Sequence, residues 1–259
     1  MTIVLIPIYK PQLDAFETRS LDVSFAALRD RQCLFIGPEG LDLGFYRERY
    51  PKLDFTPRDP VHFQSIPGYN RLLLQPSFYE EFAAHEFMLI LQTDAVVLRD
   101  ELDHWCAQPF DYVGAPWPDP IELLINLDRF VGPHGRRVRA TVGNGGFSLR
   151  RNAACRRLLL EFPQALDYFT RSGSSEDLYF SLLGQVSADF VLPNEVTAST
   201  FAMELKPSYY FEINGQREPM GGHAWWKYEP AFWEARMPPA LPALPALPAL
   251  PALACMAAA

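Results

Sequence analysis

Near the start of the chain, short apolar runs alternate with a longer segment of helical periodicity. Residues 3–8 form a continuous apolar run rich in β-branched side chains, which is typical of a strand buried on both faces. Residues 12–29 are mainly polar, with apolar positions at roughly helical spacing, and residues 33–36 form a second apolar run that ends at Gly37 and Pro38. Strand, helix and strand of these lengths predict a βαβ unit and hence a parallel sheet.

The same alternation continues up to about residue 115. The pattern predicts a third strand at 53–55, a helix over 69–82 that is interrupted near Pro76, and a very apolar strand at 87–91, with short strands following at 96–98 and 112–113. The second half is less regular. It predicts helices over 153–162 and 178–183, a late strand at 190–192, and a loop with short elements over 209–233.

The last residues differ from the rest in composition. Residues 237–259 repeat Ala-Leu-Pro and carry no charge. Proline at every third position forbids a helix and favours polyproline II, so this tail is predicted to be extended or disordered. It is either a spacer or partner ligand, or a repeat-expanded end. We expect a single catalytic domain over residues 1–236 and a tail that lies outside it.

Charge and cysteine usage exclude several classes of protein. The formal net charge of −8 argues against a general nucleic-acid binder. Four scattered cysteines without a Cys-x-x-Cys pair argue against zinc ribbons, and Cys33 and Cys155 are expected to be buried free thiols. The basic stretch Arg136, Arg137 and Arg139 is either a solvated loop or a local site for an anionic substrate.

No apolar run approaches the ~20 residues that a membrane span needs. The hydrophobic N-terminus lacks a basic leader and meets Pro7 early, so it is interpreted as a strand rather than a signal peptide. From these features we expect a soluble, cytoplasmic protein without a transmembrane segment.

Two acidic positions are candidates for chemistry. Asp94 directly follows the most apolar strand, at the sheet edge where open α/β folds bind ligands, although a lone aspartate there is also a common turn former. Glu176 and Asp177 follow a Gly-Ser-Ser loop and open an apolar helix. They are either a general base at a helix start or acidic residues that favour the helix dipole.

Two glycine-rich segments are further candidates. Residues 143–146 (Gly-Asn-Gly-Gly) permit close backbone approach to a ligand, but they lack the spacing of a dinucleotide-binding loop. His223 lies among glycines and the indoles of Trp225 and Trp226. Imidazole ligates Mn²⁺ and similar ions, and indole faces suit sugar rings, but a lone histidine is also common in protein cores.

Six segments in this order resemble one known family. They are residues 6–9 (Ile-Pro-Ile-Tyr), 92–94 (Gln-Thr-Asp), 110–117 (Phe-Asp-Tyr-Val-Gly-Ala-Pro-Trp), 143–150 (Gly-Asn-Gly-Gly-Phe-Ser-Leu-Arg), 176–177 (Glu-Asp) and 222–225 (Gly-His-Ala-Trp). Together they resemble an uncharacterised family of GT-A-like glycosyltransferase domains, a domain of unknown function, over about residues 3–228. More distantly, the order of motifs is similar to that of the β-1,4-galactosyltransferases.

The resemblance implies an α/β fold of the GT-A type, with a Rossmann-like, mostly parallel central sheet flanked by helices. A nucleotide-binding half (about 1–115) would continue into an acceptor-binding half (about 116–236). The implied activity is sugar transfer from a nucleotide-sugar donor, with UDP-sugars favoured, to a hydroxyl of a glycan or small-molecule acceptor, as in polysaccharide biosynthesis. Inversion is the simpler expectation. A non-catalytic nucleotide-sugar or glycan-binding module and a metal-dependent hydrolase are the alternatives.

Roles for individual residues follow from the resemblance by position. Asp177 would be the catalytic base, with Glu176 orienting the acceptor or supporting the base, and Asp94 and His223 would bind Mn²⁺ or Mg²⁺. The expected nucleotide-sugar contacts are Pro7, Tyr9, Asn70, Arg71, Gln92 and Asp94. The expected acceptor contacts are Trp117, Asn144, Gly145, Gly146 and Trp225, and packing is an equal alternative for Trp117.

One departure from the galactosyltransferase pattern concerns the metal. Gln92 stands where the Asp-x-Asp motif has its first aspartate, and a neutral amide contributes no charge to a metal site. Either the metal binds more weakly, or the arginines at 136–139 neutralise the diphosphate without a metal.

Overall fold

The computed structural model describes residues 1–125 and 136–238, and eleven strands within these ranges form three sheets. The strands are β1 (Thr2–Pro7), β2 (Gln32–Pro38), β3 (Asp54–Arg58), β4 (Phe87–Leu91), β5 (Ala95–Val97), β6 (Tyr112–Val113), β7 (Pro116–Ile125), β8 (Arg136–Val142), β9 (Phe147–Arg151), β10 (Ala202–Met203) and β11 (Gly221–His223).

Eleven α-helices lie between these strands in the described ranges. They are α1 (Ala15–Ala27), α2 (Gly44–Arg49), α3 (Ile66–Leu73), α4 (Pro76–Glu81), α5 (Leu102–Cys106), α6 (Asn152–Glu161), α7 (Pro163–Ser172), α8 (Glu176–Gly184), α9 (Glu195–Phe201), α10 (Pro207–Ile213) and α11 (Pro230–Glu234). None of them is long and apolar enough to cross a membrane.

The largest sheet has six strands in the order β3-β2-β1-β4-β9-β6. The four strands from β3 to β4 are parallel, as the βαβ pattern predicts, whereas β9 runs antiparallel to both β4 and β6. The expected α/β architecture with a mostly parallel central sheet is therefore confirmed.

Side chains alternate between two cores on opposite faces of this sheet. Ile3 and Leu5 of β1 point into the core that contains α3, α4, α6 and α8, while Val4 and Ile6 point into the core that contains α1, α2 and α5. Since neighbouring strand residues point to opposite faces, a continuous apolar run is what a strand covered on both sides requires. The sheet is thus sandwiched between two helical layers.

Two smaller sheets were not predicted as such. β5 pairs antiparallel with β11, which pairs parallel with β10. β7 and β8 form an antiparallel hairpin. The hairpin corrects the expectation of a basic loop at residues 136–139: Arg137 and Arg139 lie on a strand, 4.0 and 3.7 Å from carboxylate oxygens of Glu122.

Other sequence predictions are wrong at single elements. Residues 190–192 are not a strand. The apolar character of Phe190 reflects its packing, because its ring stacks on Phe180 with centroids 6.4 Å apart. Cys155 is a fully buried free thiol as expected, but Cys33 is only partly buried. The predicted polyproline tail lies almost entirely at residues 239–259, outside the described residues.

Helix α1 begins at a reciprocal cap that faces the carboxyl end of the sheet. The side chain of Asp14 accepts the Glu17 N–H at 2.9 Å, and the Glu17 carboxylate accepts the Asp14 N–H at 3.1 Å, which makes a capping box. The buried Glu17 also accepts hydrogen bonds from Thr93, just after β4, and from Lys10. The start of α1 is therefore tied to the segment that follows the central strand.

This cap leads to a prediction for stability. Asp14→Ala removes the acceptor of the Glu17 N–H and is expected to lower the free energy of unfolding by about 1 kcal/mol, measured by urea denaturation. Asp14→Asn is the matched control, because asparagine is an equally good N-cap residue. An equal loss in both variants would contradict the capping role and assign the effect to the charge of Asp14.

Candidate active site

A cleft of about 820 Å³ opens at the carboxyl ends of β1 and β4. Its walls come from the ends of these strands, the start of α1, the segment leading into α3, the turn before β9, the start of α8 and the end of β11. Polar lining residues include Lys10, Asp14, Glu17, Asn70, Gln92, Asp94, Glu176, Asp177, His223 and Lys227. This is the edge of a parallel sheet where α/β proteins bind ligands.

Asp94 and His223 meet in this cleft although 129 positions separate them, since β5 and β11 pair with His223 opposite Ala95. His223 Nε2 lies 3.0 Å from Asp94 Oδ1, which is ion-pair distance, but it has no well-aligned hydrogen-bond acceptor. The amide of Ala224 donates to the carbonyl of Asp94 at 2.9 Å and fixes the two backbones against each other.

The other nitrogen of the His223 ring contacts Glu204, with 2.8 Å between Nδ1 and Oε1. A proton on Nδ1 leaves Nε2 as the ring atom that faces Asp94 and the cleft. Burial lowers the pKa of His223, but the close contacts with the carboxylates of Asp94 and Glu204 outweigh it and raise this pKa to about 9. The two carboxylates therefore favour the protonated form of the ring in the free protein.

Asp94 has a second cationic neighbour. Lys227 Nζ donates to Asp94 Oδ2 at 3.1 Å. Burial raises the pKa of Asp94, but His223 and Lys227 together hold this pKa well below its usual range. Among the residues that the structure describes, no group of three or more His, Cys, Asp or Glu side chains forms a metal site. Asp94 and His223 would thus offer a metal ion two protein ligands at most. Its other ligands would come from substrate or water.

Two glycines bring the backbone against these side chains. A Cβ atom on Gly146 would lie 2.3 Å from His223 Nε2 and 2.8 Å from Gln92 Oε1. A Cβ atom on Gly145 would lie 2.2 Å from Glu176 Oε1. All three distances are shorter than any normal contact of a Cβ atom. The two glycines were expected from the sequence to permit close approach, and they permit it to the polar side chains of the cleft.

Asp177 lies beside the same turn. Its Oδ2 accepts the Gly145 N–H at 3.1 Å, and its Oδ1 accepts the Leu178 N–H and the Ser175 hydroxyl at 2.7 and 2.8 Å. No lysine, arginine or histidine in the described ranges forms an ion pair with it. Asp177 therefore presents to the cleft an oriented carboxylate whose charge is not neutralised by a cationic side chain of the described residues.

Glu176, the neighbour of Asp177, has a different environment. Arg150 donates to its Oε1 at 2.5 Å, and both side chains are almost completely buried. Burial raises the pKa of Glu176 to about 7, with the positive charge of Arg150 opposing the change. Although Glu176 lines the cleft, its carboxylate is engaged by Arg150, so its position is structural rather than that of a free base.

The predicted nucleotide-sugar contacts are only partly brought together. Pro7 and Tyr9 at the end of β1, Asn70 on α3, and Gln92 and Asp94 after β4 all line the cleft. Arg71 does not line it. In a helix, successive side chains point about 100° apart, so Arg71 cannot face the cleft together with Asn70.

The predicted acceptor contacts require more correction. Trp225 is fully buried and donates its indole N–H to Ser20 at 2.7 Å, so it belongs to the core, and Trp226 faces the cleft instead. Asn144 is buried and donates to Glu204 at 2.8 Å. Trp117 packs against Gly143 and the main core, outside the cleft. Gly145 and Gly146 line it as expected.

Four residues of this site are not among those predicted from the sequence: Lys10, Glu17, Glu204 and Lys227. The Asp14-x-x-Glu17 spacing is a capping-box signature and was available as a signal for Glu17. Glu204 gives no such signal, because its partners Asn144 and His223 are 60 and 19 positions away. The arginines at 136–139, expected as an alternative clamp on a diphosphate, do not line the cleft.

The architecture and the cleft together define the class of fold. The chain resembles a crystal structure of the galactosyltransferase LgtC with donor and acceptor sugar analogues (16% identity, TM-score 0.50, 86% of each chain covered). It equally resembles mouse xyloside xylosyltransferase 1 in its apo form (11% identity, TM-score 0.50, 86% of this chain and 97% of that one). The fold is the GT-A glycosyltransferase fold, as the resemblance of the motifs implies.

Sequence comparison then gives the family. Residues 52–223 match the family described as "Protein of unknown function (DUF5672)", and the chain belongs to this family. No curated protein has a sequence similar enough to count as a relative.

The buried ion pair beneath the cleft supports a prediction for stability. Arg150→Met leaves the Glu176 carboxylate buried without its cation and is expected to cost about 3–5 kcal/mol in urea denaturation. The double variant Arg150→Met/Glu176→Met removes both charges and is expected to lose less than the single one.

Arg171→Met serves as the comparison for this experiment, since Arg171 is exposed on α7 and its ion pair with Asp167 lies at the surface. A loss of about 1 kcal/mol or less is expected there. Equal losses from Arg150→Met and the double variant would contradict the idea that an uncompensated buried charge causes the damage.

Proposed function

We propose that this protein is a glycosyltransferase that moves a sugar from a nucleotide-sugar donor to an acceptor hydroxyl, with Asp177 as the base. One observation carries the proposal. An Asp–His pair and an oriented carboxylate without a cationic partner lie beside two adjacent glycines, Gly146 and Gly145, in one cleft of a GT-A fold. Because consecutive Cα atoms are 3.8 Å apart, the Asp94–His223 pair beside Gly146 and the Asp177 carboxylate beside Gly145 are neighbours in the cleft.

A divalent metal fits the residues at this position. His223 Nε2 is buried without a well-aligned acceptor, its Nδ1 is held by Glu204, and Asp94 Oδ1 lies 3.0 Å away. A carboxylate that binds the second nitrogen of a histidine is the usual support of a metal-ligating imidazole. Asp94 and His223, once its ring has lost the proton on Nε2, would hold Mn²⁺ or Mg²⁺, which would stabilise the negative charge that grows on the departing diphosphate.

The chain's own residues supply the acceptor side. Asp177 would take the proton of the acceptor hydroxyl as that oxygen attacks the anomeric carbon and the bond to the diphosphate breaks. The Gly145 N–H, the Leu178 N–H and the Ser175 hydroxyl hold its carboxylate in place, so little reorganisation is needed. A base on the acceptor side favours a single displacement with inversion.

Donor binding is supported by other residues that line the cleft. Tyr9 is about half exposed in the cleft, which suits stacking on a nucleoside. Asn70 is mostly buried but lines the cleft, which suits hydrogen bonding to a nucleoside. Lys10 and Lys227 both line the cleft with partly exposed ammonium groups and add positive charge near a diphosphate. We favour UDP-sugars by analogy with the galactosyltransferases, whose order of motifs this sequence resembles.

A non-catalytic nucleotide-sugar-binding module on the same fold is the second candidate. Two observations favour it: Gln92 brings no charge to the metal position, and Lys227 already neutralises one oxygen of Asp94. Both candidates predict nucleotide binding, but only the transferase predicts dependence on Asp177.

Replacing the proposed base separates the two candidates. A thermal-shift screen of UDP-, GDP- and CMP-sugars with and without Mn²⁺ first identifies the donor. Asp177→Asn is then expected to retain donor binding while turnover, followed as release of the nucleoside diphosphate, falls by about 10²–10⁴-fold.

Asp167→Asn is the control, because Asp167 is exposed on α7 and, among the described residues, forms an ion pair only with Arg171 four residues on. It is expected to leave turnover unchanged. Absence of stabilisation by every nucleotide at millimolar concentration would contradict both candidates, and turnover that survives Asp177→Asn would contradict the assigned base.

Gln92 allows a test of the metal proposal. Gln92→Asp adds a carboxylate beside His223 and is expected to strengthen Mn²⁺ binding in the presence of UDP by about tenfold, measured by electron paramagnetic resonance. Gln92→Asn changes the length without adding charge and is expected to give no gain. If Gln92→Asp and Asp94→Asn both leave Mn²⁺ affinity unchanged, the cleft works without a metal.

A further inference from the structure

Glu204 lies between His223, a proposed metal ligand, and Asn144, which belongs to the turn beside the proposed base Asp177. One carboxylate oxygen, Oε1, contacts His223 Nδ1 at 2.8 Å, and the other, Oε2, accepts from Asn144 Nδ2 at 2.8 Å. The Glu204 side chain is 17% exposed and that of His223 is 15% exposed, so water does not replace these bonds easily. Glu204 itself is not among the residues that line the cleft.

Strand pairing explains how Glu204 reaches His223. In the parallel pair of β10 and β11, Met203 lies opposite Gly222. Glu204 is the residue after Met203, and His223 is the residue after Gly222. Their side chains therefore emerge side by side. The antiparallel pair of β11 with β5 then places the same histidine opposite Ala95, next to Asp94.

Asn144 links Glu204 to the turn that carries the glycines. Its backbone has φ of 65°, the left-handed region that asparagine tolerates better than most residues. The next residue, Gly145, donates its N–H to Asp177, and the carbonyl of Gly146 accepts the Gln92 N–H at 2.8 Å. The conformation of this turn therefore sets the positions of the Asp177 carboxylate and of the segment that leads to Asp94.

We infer that Glu204 is a positioning residue that couples the orientation of His223 to the turn that holds Asp177. The inference rests on the proposed function, which gives His223 and Asp177 their roles. Through Oε1 Glu204 directs Nε2 of the histidine towards Asp94, and through Oε2 it holds Asn144 in its left-handed conformation. A change at His223 is thereby transmitted to the turn that holds Asp177, and a change in that turn is transmitted to His223.

A carboxylate is needed at this position because each oxygen must accept from a different donor. Glutamine has one acceptor oxygen and one NH₂ group, so it cannot accept hydrogen bonds from both His223 and Asn144. Asn144→Gly removes the second bond alone, since glycine adopts φ of 65° without strain. These two variants separate the two bonds while keeping the backbone geometry.

The first measurement uses the full-length free protein and needs no ligand. Heteronuclear NMR is expected to show that Glu204→Gln shifts both the His223 Nδ1 resonance and the Gly145 amide. Asn144→Gly, which does not touch the imidazole, is expected to shift the His223 ring nitrogens as well. Urea denaturation of each variant verifies that the proteins remain folded under these conditions.

The second measurement uses Mn²⁺ with UDP as the probe. Glu204→Gln is expected to weaken Mn²⁺ binding by about 10–100-fold, the usual cost of losing the partner of a ligating histidine. Asn144→Gly is expected to weaken it by a smaller factor. The double variant is expected to be no weaker than Glu204→Gln alone, since both changes act on one connected unit.

The inference is overturned if Asn144→Gly leaves the His223 nitrogens and the Mn²⁺ affinity unchanged, or if Glu204→Gln leaves the Gly145 amide unchanged. In either case the two hydrogen bonds are independent. Absence of any binding of Mn²⁺ and UDP to the unaltered protein would instead contradict the proposed function, and the NMR shifts of the free protein would then decide the coupling by themselves.

Discussion

The site depends on one buried interaction, the hydrogen bonding of Arg150. From strand β9 its guanidinium reaches Glu176 at the start of α8, Tyr79 on α4, and Ser148 and the carbonyl of Gly145 near its own strand. Burying a guanidinium is costly unless its donors are satisfied, and here each partner comes from a part of the chain that must be in place. The arginine therefore determines how the glycine turn and helix α8 sit on the sheet.

The arrangement of the two acidic neighbours follows from this pair. Glu176 points inward to Arg150, so Asp177, the next residue of the helix, is directed towards the cleft, where backbone and hydroxyl donors hold it. The adjacent carboxylates thus divide into one that stabilises the fold and one that is available for chemistry. A similar division holds for the adjacent indoles: Trp225 is core, and Trp226 faces the cleft.

Much of the fold could be predicted from the sequence, because the central strands are buried on both faces and show as continuous apolar runs. The elements that were missed have weaker local signals. β10 and β11 are two and three residues long, and β7 begins with Pro-Trp-Pro-Asp-Pro, which does not have the appearance of a strand. Phe190 was misassigned for the opposite reason, since apolar character alone does not distinguish a strand from a buried loop.

The sequence by itself determined the α/β class, the position of Asp94 at a sheet edge, the close approach permitted by Gly145 and Gly146, and the start of α8 at Glu176. These are local properties of burial, conformational freedom and helix capping. Only the tertiary structure decided that His223 faces Asp94, that Glu204 binds both His223 and Asn144, and which of two adjacent carboxylates is neutralised. Such contacts join residues far apart in the chain, and strand register and helix rotation, rather than residue type, bring them together.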